Sequence, residues 1–196
     1  MTINPVIVQG AWRLGWTLNV HTTSSEFLGY DQNGRPLFET TRSPLGELLF
    51  QMKYRNQPNA APIASVMADF FGNKPNALAR IDLVVPMPSS TPRAVQPVAE
   101  IARELARRLR KIFSADMLRK TRDTPGLKDI HDAEQRRELL DGAFDADASG
   151  VNGRGILLVD DLYRSGATAN AVTVALIRAG ASRVYLLAAT RTRNNV

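Results

Sequence analysis

The chain has 196 residues, 44% of them hydrophobic and 22% charged, which are the proportions of a globular domain with a buried core and exclude a disordered or fibrous chain. Cysteine is absent, so disulfides, thiolate metal sites and a cysteine nucleophile are excluded, and no run reaches the ~18 apolar residues of a membrane helix. A net charge of +6 and a pI of about 10.1 predict attraction to anions: nucleic acid, acidic lipid or phosphorylated small molecules.

The start, Met1-Thr2-Ile3-Asn4-Pro5, lacks the basic and apolar blocks of a signal peptide, so a cytoplasmic location away from membrane is expected. Trp12, Leu14, Trp16, Leu18 and Val20 alternate with polar or small residues, the period of a half-buried strand. Phe27, Leu28 and Tyr30 predict a second strand. Asp31-Gln32-Asn33-Gly34 is a turn signal, because Asn-Gly tolerates positive φ, and Leu37-Phe38-Glu39-Thr40 returns the chain. Residues 11–40 therefore read as an antiparallel β unit. Residues 1–43 form an N-terminal β unit, either part of the following domain or a small appendage to it. Its aromatics read as the core of a small hairpin, with a nucleobase shelf or a partner surface as alternatives.

Pro44 opens a helix to about Tyr54, with Leu45, Leu48, Leu49 and Met52 on one face. A second helix spans about Ala60 to Phe71 and is ended by Gly72 and Pro75. Ile81–Val85 is a short apolar strand that stops at Pro86-Met87-Pro88. Pro92 to about Lys111 is helical, with Val95, Val98, Ile101, Ala102, Leu105 and Leu109 inward. Arg103, Arg107, Arg108, Arg110 and Lys111 cluster at its end, either as a solvated face with charges suited to a helix C-terminus or as an anion-binding patch. Ala115–Leu118 reads as a short strand and residues 119–131 as an irregular polar loop. Ala133–Leu140 is a short helix, Gly155–Val159 a buried strand, Ala167–Ala179 a helix and Val184–Ala189 a final strand. Strand–helix alternation over residues 44–196 predicts an α/β domain whose parallel sheet is flanked by helices, with ligands bound beyond the carboxyl ends of the strands.

The sharpest chemical signal runs from Ile156 to Thr168. Ile156-Leu157-Leu158-Val159 builds a buried strand, Asp160 and Asp161 follow, and a small-residue turn feeds a helix. Gly166 lets the backbone approach a ligand, and a helix N-terminus offers unpaired N–H donors and partial positive charge. Ser165 and Thr168 add hydroxyls. A phosphate fits this cup, with the two carboxylates facing a ribose. The alternative is an acid pair that caps the following turn.

Val159-Asp160-Asp161 followed by Ser165-Gly166-Ala167-Thr168 resembles the phosphoribosyl pyrophosphate signature of type I phosphoribosyltransferases. Gln51-Met52-Lys53-Tyr54, Val84-Val85-Pro86-Met87-Pro88, Arg122-Asp123-Thr124-Pro125 and Gly142-Ala143-Phe144 resemble the ComF (competence protein F, GntX-like) branch, without its N-terminal zinc segment. The resemblance covers about residues 44–190 and implies a type I phosphoribosyltransferase-like fold with a flexible hood loop. By that resemblance, Asp160 and Asp161 hold the ribose hydroxyls and are the catalytic acids, reaching metal through water. Arg164, Ser165, Gly166, Ala167 and Thr168 take the ribose 5-phosphate. Pro86, Met87, Pro88 and Ser89 form the pyrophosphate loop, and Arg119, Lys120, Arg122 and Lys128 are hood contacts to pyrophosphate. His131 lies beside the hood. Arg164 stands where the branch usually has threonine or a small residue, so it either grips phosphate or fills the cup.

The implied activity is Mg²⁺-dependent transfer of a phosphoribosyl group from phosphoribosyl pyrophosphate to a nitrogen nucleophile, a glycosyltransferase step in nucleotide metabolism. The alternative is a non-enzymatic module that senses such a ligand or contacts nucleic acid, as the association of the branch with DNA uptake implies. A homodimer is the default assembly.

Overall fold

Six strands gather into one sheet, because each exposes backbone groups that only a neighbouring strand satisfies. The structure is a computed structural model that describes residues 1–89, 96–122, 130 and 132–193. In chain order its strands are β1 (Val6–Val8), β2 (Leu14–Val20), β3 (Thr22–Tyr30), β4 (Pro36–Arg42), β5 (Leu83–Pro86), β6 (Ile112–Phe113), β7 (Leu118–Lys120), β8 (Phe144–Ala146), β9 (Gly155–Tyr163) and β10 (Arg183–Arg191). The helices are α1 (Pro44–Tyr54), α2 (Ala60–Gly72), α3 (Pro75–Leu78), α4 (Pro97–Leu109), α5 (Ala133–Leu140), α6 (Ala148–Val151) and α7 (Ala167–Arg178).

The central sheet has the order β1-β2-β10-β9-β5-β6. All neighbours are parallel except β1, which runs antiparallel to β2. Two antiparallel pairs, β3–β4 and β7–β8, stand outside it. The protein is therefore α/β with a mostly parallel sheet flanked by helices, as the alternation predicts. One face carries Leu157, Val159, Leu187 and Ala189 against α1, α2 and α4. The other carries Ile156, Leu158, Leu186 and Ala188 against α7 and Trp12. Strand residues alternate between these layers, which is why β9 and β10 read as continuous apolar runs.

The N-terminal segment departs from expectation. β2 does not pair with β3; it lies parallel to β10, with Leu187 opposite Trp16 and Ala188 opposite Thr17. Its aromatics serve the main core. Trp16 stacks on Tyr185, 6.4 Å between ring centroids, and meets Phe70 and Phe71 edge-on. Trp12 lies before the strand, not within it, and is buried. Alternation reports that one face is covered, not what covers it. Only β3 and β4 form the expected hairpin, and its aromatics are exposed rather than a hairpin core.

Smaller shifts follow the same logic. The strand expected at residues 115–118 begins at Leu118 and pairs with β8, which uses part of the segment expected to be irregular. α4 begins at Pro97, the residue that best tolerates a helix first turn; residues 90–95 lie outside the described ones.

Candidate functional site

β9 does not stop at Val159. It continues to Tyr163, so Asp160 and Asp161 lie inside the strand near its carboxyl end. Neighbouring strand residues face opposite ways. Asp161 follows the parity of Leu157 and Val159 and turns toward α1, where Lys53 forms an ion pair with its Oδ2. Asp160 keeps its Oδ1 on the backbone N–H of Asp161, 2.8 Å away. Burial, and then the negative charge of Asp161, push the Asp160 carboxyl up to about 7. The N–H groups of Asp161 and Leu162 and the Lys53 charge pull the other way without prevailing. Asp160 has no ion pair among the described residues. One acid is thus matched by a cation while its neighbour holds a proton to near neutrality.

Beyond Tyr163 the chain turns sharply into α7. Gly166 is the N-cap with φ +73°, a left-handed conformation that favours glycine. A Cβ there would lie 2.6 Å from Tyr163 Oη. No side chain caps α7. Among the described residues, the backbone N–H groups of Ser165, Gly166, Ala167, Thr168 and Ala169 donate to no protein acceptor; the helix ladder begins with Asn170 N to Gly166 O, 2.8 Å. Five successive donors at a helix N-terminus make an anion cradle. Arg164 and Ser165 are exposed, and Ala167 and Thr168 are half-buried.

The turn is propped from the α7 side. Tyr163 meets Trp12 edge-on, 6.3 Å between centroids, and Trp12 Nε1 donates to Val8 O at 2.9 Å. Ala11 N donates to Asn170 Oδ1 at 2.7 Å, fixing the first turn of α7.

No family model matches the chain, and no curated protein matches it. Among solved structures it is similar to the glutamine phosphoribosylpyrophosphate amidotransferase of B. subtilis complexed with ADP and GMP, at 16% identity and a TM-score of 0.46, over 81% of this chain and 34% of that one. It is similar to a structure described as the allosteric regulatory enzyme of purine biosynthesis at 18% identity and a TM-score of 0.44, over 81% and 34% of the two chains. A hypoxanthine phosphoribosyltransferase from Staphylococcus aureus follows at 11% identity and a TM-score of 0.42, over 69% and 65%. The chain spans about a third of the length of the first two.

The loop Pro86–Ser89 leaves the sheet beside the acids. Pro86 is opposite Val159, and Met87 N donates to Val159 O at 2.7 Å. Pro86 and Met87 are buried, whereas Ser89 is exposed at the rim. Two of the basic residues expected in the hood have partners of their own. Arg119 pairs with Asp145 at 2.6 Å, and Arg122 donates to the carbonyls of Leu139 and Asp141 at 3.1 and 2.8 Å. Lys120 lies in β7. Lys128 and His131 fall outside the described residues. A groove of about 1150 Å³ opens beside Ser165 and Ala167 and runs along α7 to Leu140 and Phe144, away from the acid pair.

Sequence reasoning missed a second wall. Lys53 comes from α1, and His21 from the link between β2 and β3. Thr190 Oγ1 donates to Asp161 O at 2.9 Å, so its lone pairs are open to an N–H from His21 Nδ1, 3.2 Å away. Burial, then the charges of Lys53, Arg42 and Arg164, hold His21 below its ordinary pKa. A neutral imidazole with its proton on Nδ1 satisfies this chain of bonds. Ser43 N bonds His21 O at 3.1 Å, and Gly46 packs so closely that a Cβ would lie 2.2 Å from the same oxygen. The stretch Gln51-Met52-Lys53-Tyr54 was the available signal for Lys53. Nothing in the pattern around His21 marked it.

Proposed function

We propose that this protein binds phosphoribosyl pyrophosphate or a related ribose 5-phosphate and transfers the phosphoribosyl group to a nitrogen nucleophile. The observation that carries this reading is the row of unpaired amides from Ser165 to Ala169 in the turn that follows two carboxylates of opposite character. The amides and the hydroxyls of Ser165 and Thr168 receive the 5-phosphate; the exposed Arg164 guanidinium closes over it. Asp161, held by Lys53, and Asp160 accept the ribose hydroxyls. Pro86–Ser89, emerging beside β9, receives the pyrophosphate.

The reaction is a displacement at the anomeric carbon. The bond to pyrophosphate breaks, the nitrogen lone pair forms the new bond, and the nucleophile gives up its proton. Positive charge grows on the sugar ring and negative charge on the leaving oxygens. Mg²⁺ suits such a site, because it keeps water and substrate oxygens and needs few protein ligands. Asp160 and Asp161 are the carboxylates here, and Asp160, lacking a cation partner among the described residues, fits a site that takes one up. An Mg²⁺ held there would supply positive charge to the departing pyrophosphate. The protein's own part is to fix the ribose between the acids and to hold the phosphate on fixed dipoles.

The nucleic-acid reading has weaker support. At the end of α4, Arg107 and Arg108 both bond Glu104, at 2.7 and 2.9 Å, and Arg103 lies over the Phe113 ring. Much of that positive patch is already engaged. Titration calorimetry with phosphoribosyl pyrophosphate, with and without Mg²⁺, tests the proposal. Micromolar binding abolished by Asp160→Asn/Asp161→Asn, and pyrophosphate release with one member of a nucleobase and amine panel, are expected. Unchanged binding by the double variant overturns it.

A further inference from the structure

Transfer to a nitrogen nucleophile leaves one proton without a destination. A direct displacement at an anomeric carbon brings the nucleophile in on the side opposite the leaving group. In the sheet order β2-β10-β9-β5, the loop that takes pyrophosphate leaves β5, on one side of the acids of β9. The other side is formed by the carboxyl ends of β10 and β2. Thr190 lies at the first, and His21 directly follows the second. With neighbouring strands about 4.8 Å apart, the ends of β2 and β9 stand about 10 Å from one another, room for a planar ring or an amine beside the ribose. His21 is fixed there by several bonds. Its backbone N–H donates to Arg191 O at 2.8 Å, its carbonyl accepts from Ser43 N at 3.1 Å, and its Nδ1 meets Thr190 Oγ1 at 3.2 Å. Because the Thr190 hydroxyl gives its own proton to Asp161 O, 2.9 Å away, the imidazole proton sits on Nδ1. Nε2 is left a bare acceptor, with no hydrogen-bond partner among the described residues. The charged groups around the ring are Lys53 on α1, Arg42 on β4, Asp161 on β9 and Arg164 in the turn, and three of these belong to the site. Burial and the three cations disfavour the imidazolium and keep the ring a neutral acceptor at neutral pH.

We infer that His21 is the general base of the transfer and takes the proton of the nitrogen nucleophile on Nε2. The inference rests on the phosphoribosyl transfer proposed above. As the nitrogen lone pair closes on the anomeric carbon and the bond to pyrophosphate breaks, the nitrogen becomes cationic and its N–H acidic. The electrons of that N–H bond return to nitrogen, the proton moves to Nε2, and the imidazolium then releases it to water. Nearby carboxylates are already committed: Asp160 and Asp161 to the ribose, and Glu47 to Arg42 and Gln51, at 3.4 and 3.1 Å. A weak base suffices, because a nitrogen bonded to the sugar loses its proton readily, and a weak base stays unprotonated between turnovers.

Pyrophosphate release at saturating phosphoribosyl pyrophosphate and Mg²⁺, with adenine, guanine, hypoxanthine, uracil and ammonia as probes, tests it together with calorimetry. His21→Asn sets an amide N–H where Nδ1 stands, so the bond to Thr190 is kept and the base is lost. With the fastest probe, kcat should fall by about 100-fold or more, while the dissociation constant of phosphoribosyl pyrophosphate changes by less than about twofold. The wild-type profile of kcat/KM against pH should show an acid limb below the ordinary imidazole value of 6.5, and the variant should lack it. His21→Gln, which also lacks a base, decides the matter if the asparagine variant misfolds. A wild type that does not bind phosphoribosyl pyrophosphate, or binds it and releases no pyrophosphate with any probe, overturns the transfer reading and this inference with it. Wild-type turnover matched to within about fivefold by a folded variant, or the same acid limb in that variant, overturns this inference alone.

Discussion

Replacing Lys53 with methionine keeps an unbranched chain of similar length on α1 and removes the ammonium that pairs with Asp161. Breaking a buried pair by deleting one partner typically costs about 3–5 kcal/mol, because the other charge is left without compensation. Here the Lys53 side chain is 23% exposed and that of Asp161 11%, so water recovers part of the loss. A cost of about 2 kcal/mol remains, which for a chain of this size lowers Tm by about 4–8 °C. The assay is urea denaturation at neutral pH for Lys53→Met, Asp161→Asn and the double variant. The double variant should be more stable than the sum of the single effects predicts. Phosphoribosyl pyrophosphate affinity should fall with Lys53→Met even at a temperature where the variant is fully folded, since Asp161 loses its fixed orientation. Strict additivity, or a loss below about 0.5 kcal/mol at neutral pH, would refute the view that Lys53 holds Asp161.

Three further outcomes follow from the same geometry. Gly166→Ala forces a left-handed residue, costing about 1–2 kcal/mol, and crowds Tyr163; chemical denaturation and ligand titration should show that loss and an affinity at least tenfold weaker. The Asp160 carboxyl lies at about 7 in the folded chain against 3.8 for the free group, so the native state keeps a proton that the unfolded state has released. Stability contributed at this site is therefore full below about pH 4 and declines as pH rises toward 7, and Asp160→Asn should flatten that slope in a urea series across pH. Trp12→Leu removes the ring beneath Tyr163 at a cost of about 2–4 kcal/mol, in the range of large-to-small core changes, and should weaken phosphate binding beyond what an equally destabilising change in α2, such as Phe71→Leu, produces.

The legible parts were those fixed by local periodicity and backbone chemistry. α1 and α5 occupy the residues that helical spacing predicts, and β9 and β10 were visible as apolar runs long enough to be buried on both faces. The turn at Gly166 announced itself because few residues besides glycine adopt its φ, and the unpaired amides follow from any helix start without a capping side chain. The acids' identities were legible, but their difference was not. Asp160 and Asp161 look alike in sequence; only the strand's continuation to Tyr163 sends one toward Lys53 and leaves the other to keep its proton.

What the tertiary structure alone decided was pairing at a distance. β2 shows the alternation of any half-buried strand, and only the core formed with Tyr185, Phe70 and Phe71 places it parallel to β10 and not against β3. That choice brings His21 to Thr190 across 169 positions of chain and Trp12 beneath Tyr163. Short-range pattern carries φ preference, face and period, because these are set within a few residues. It does not carry the partner of a buried face or of a charge, because those are selected by the whole sheet closing over its core.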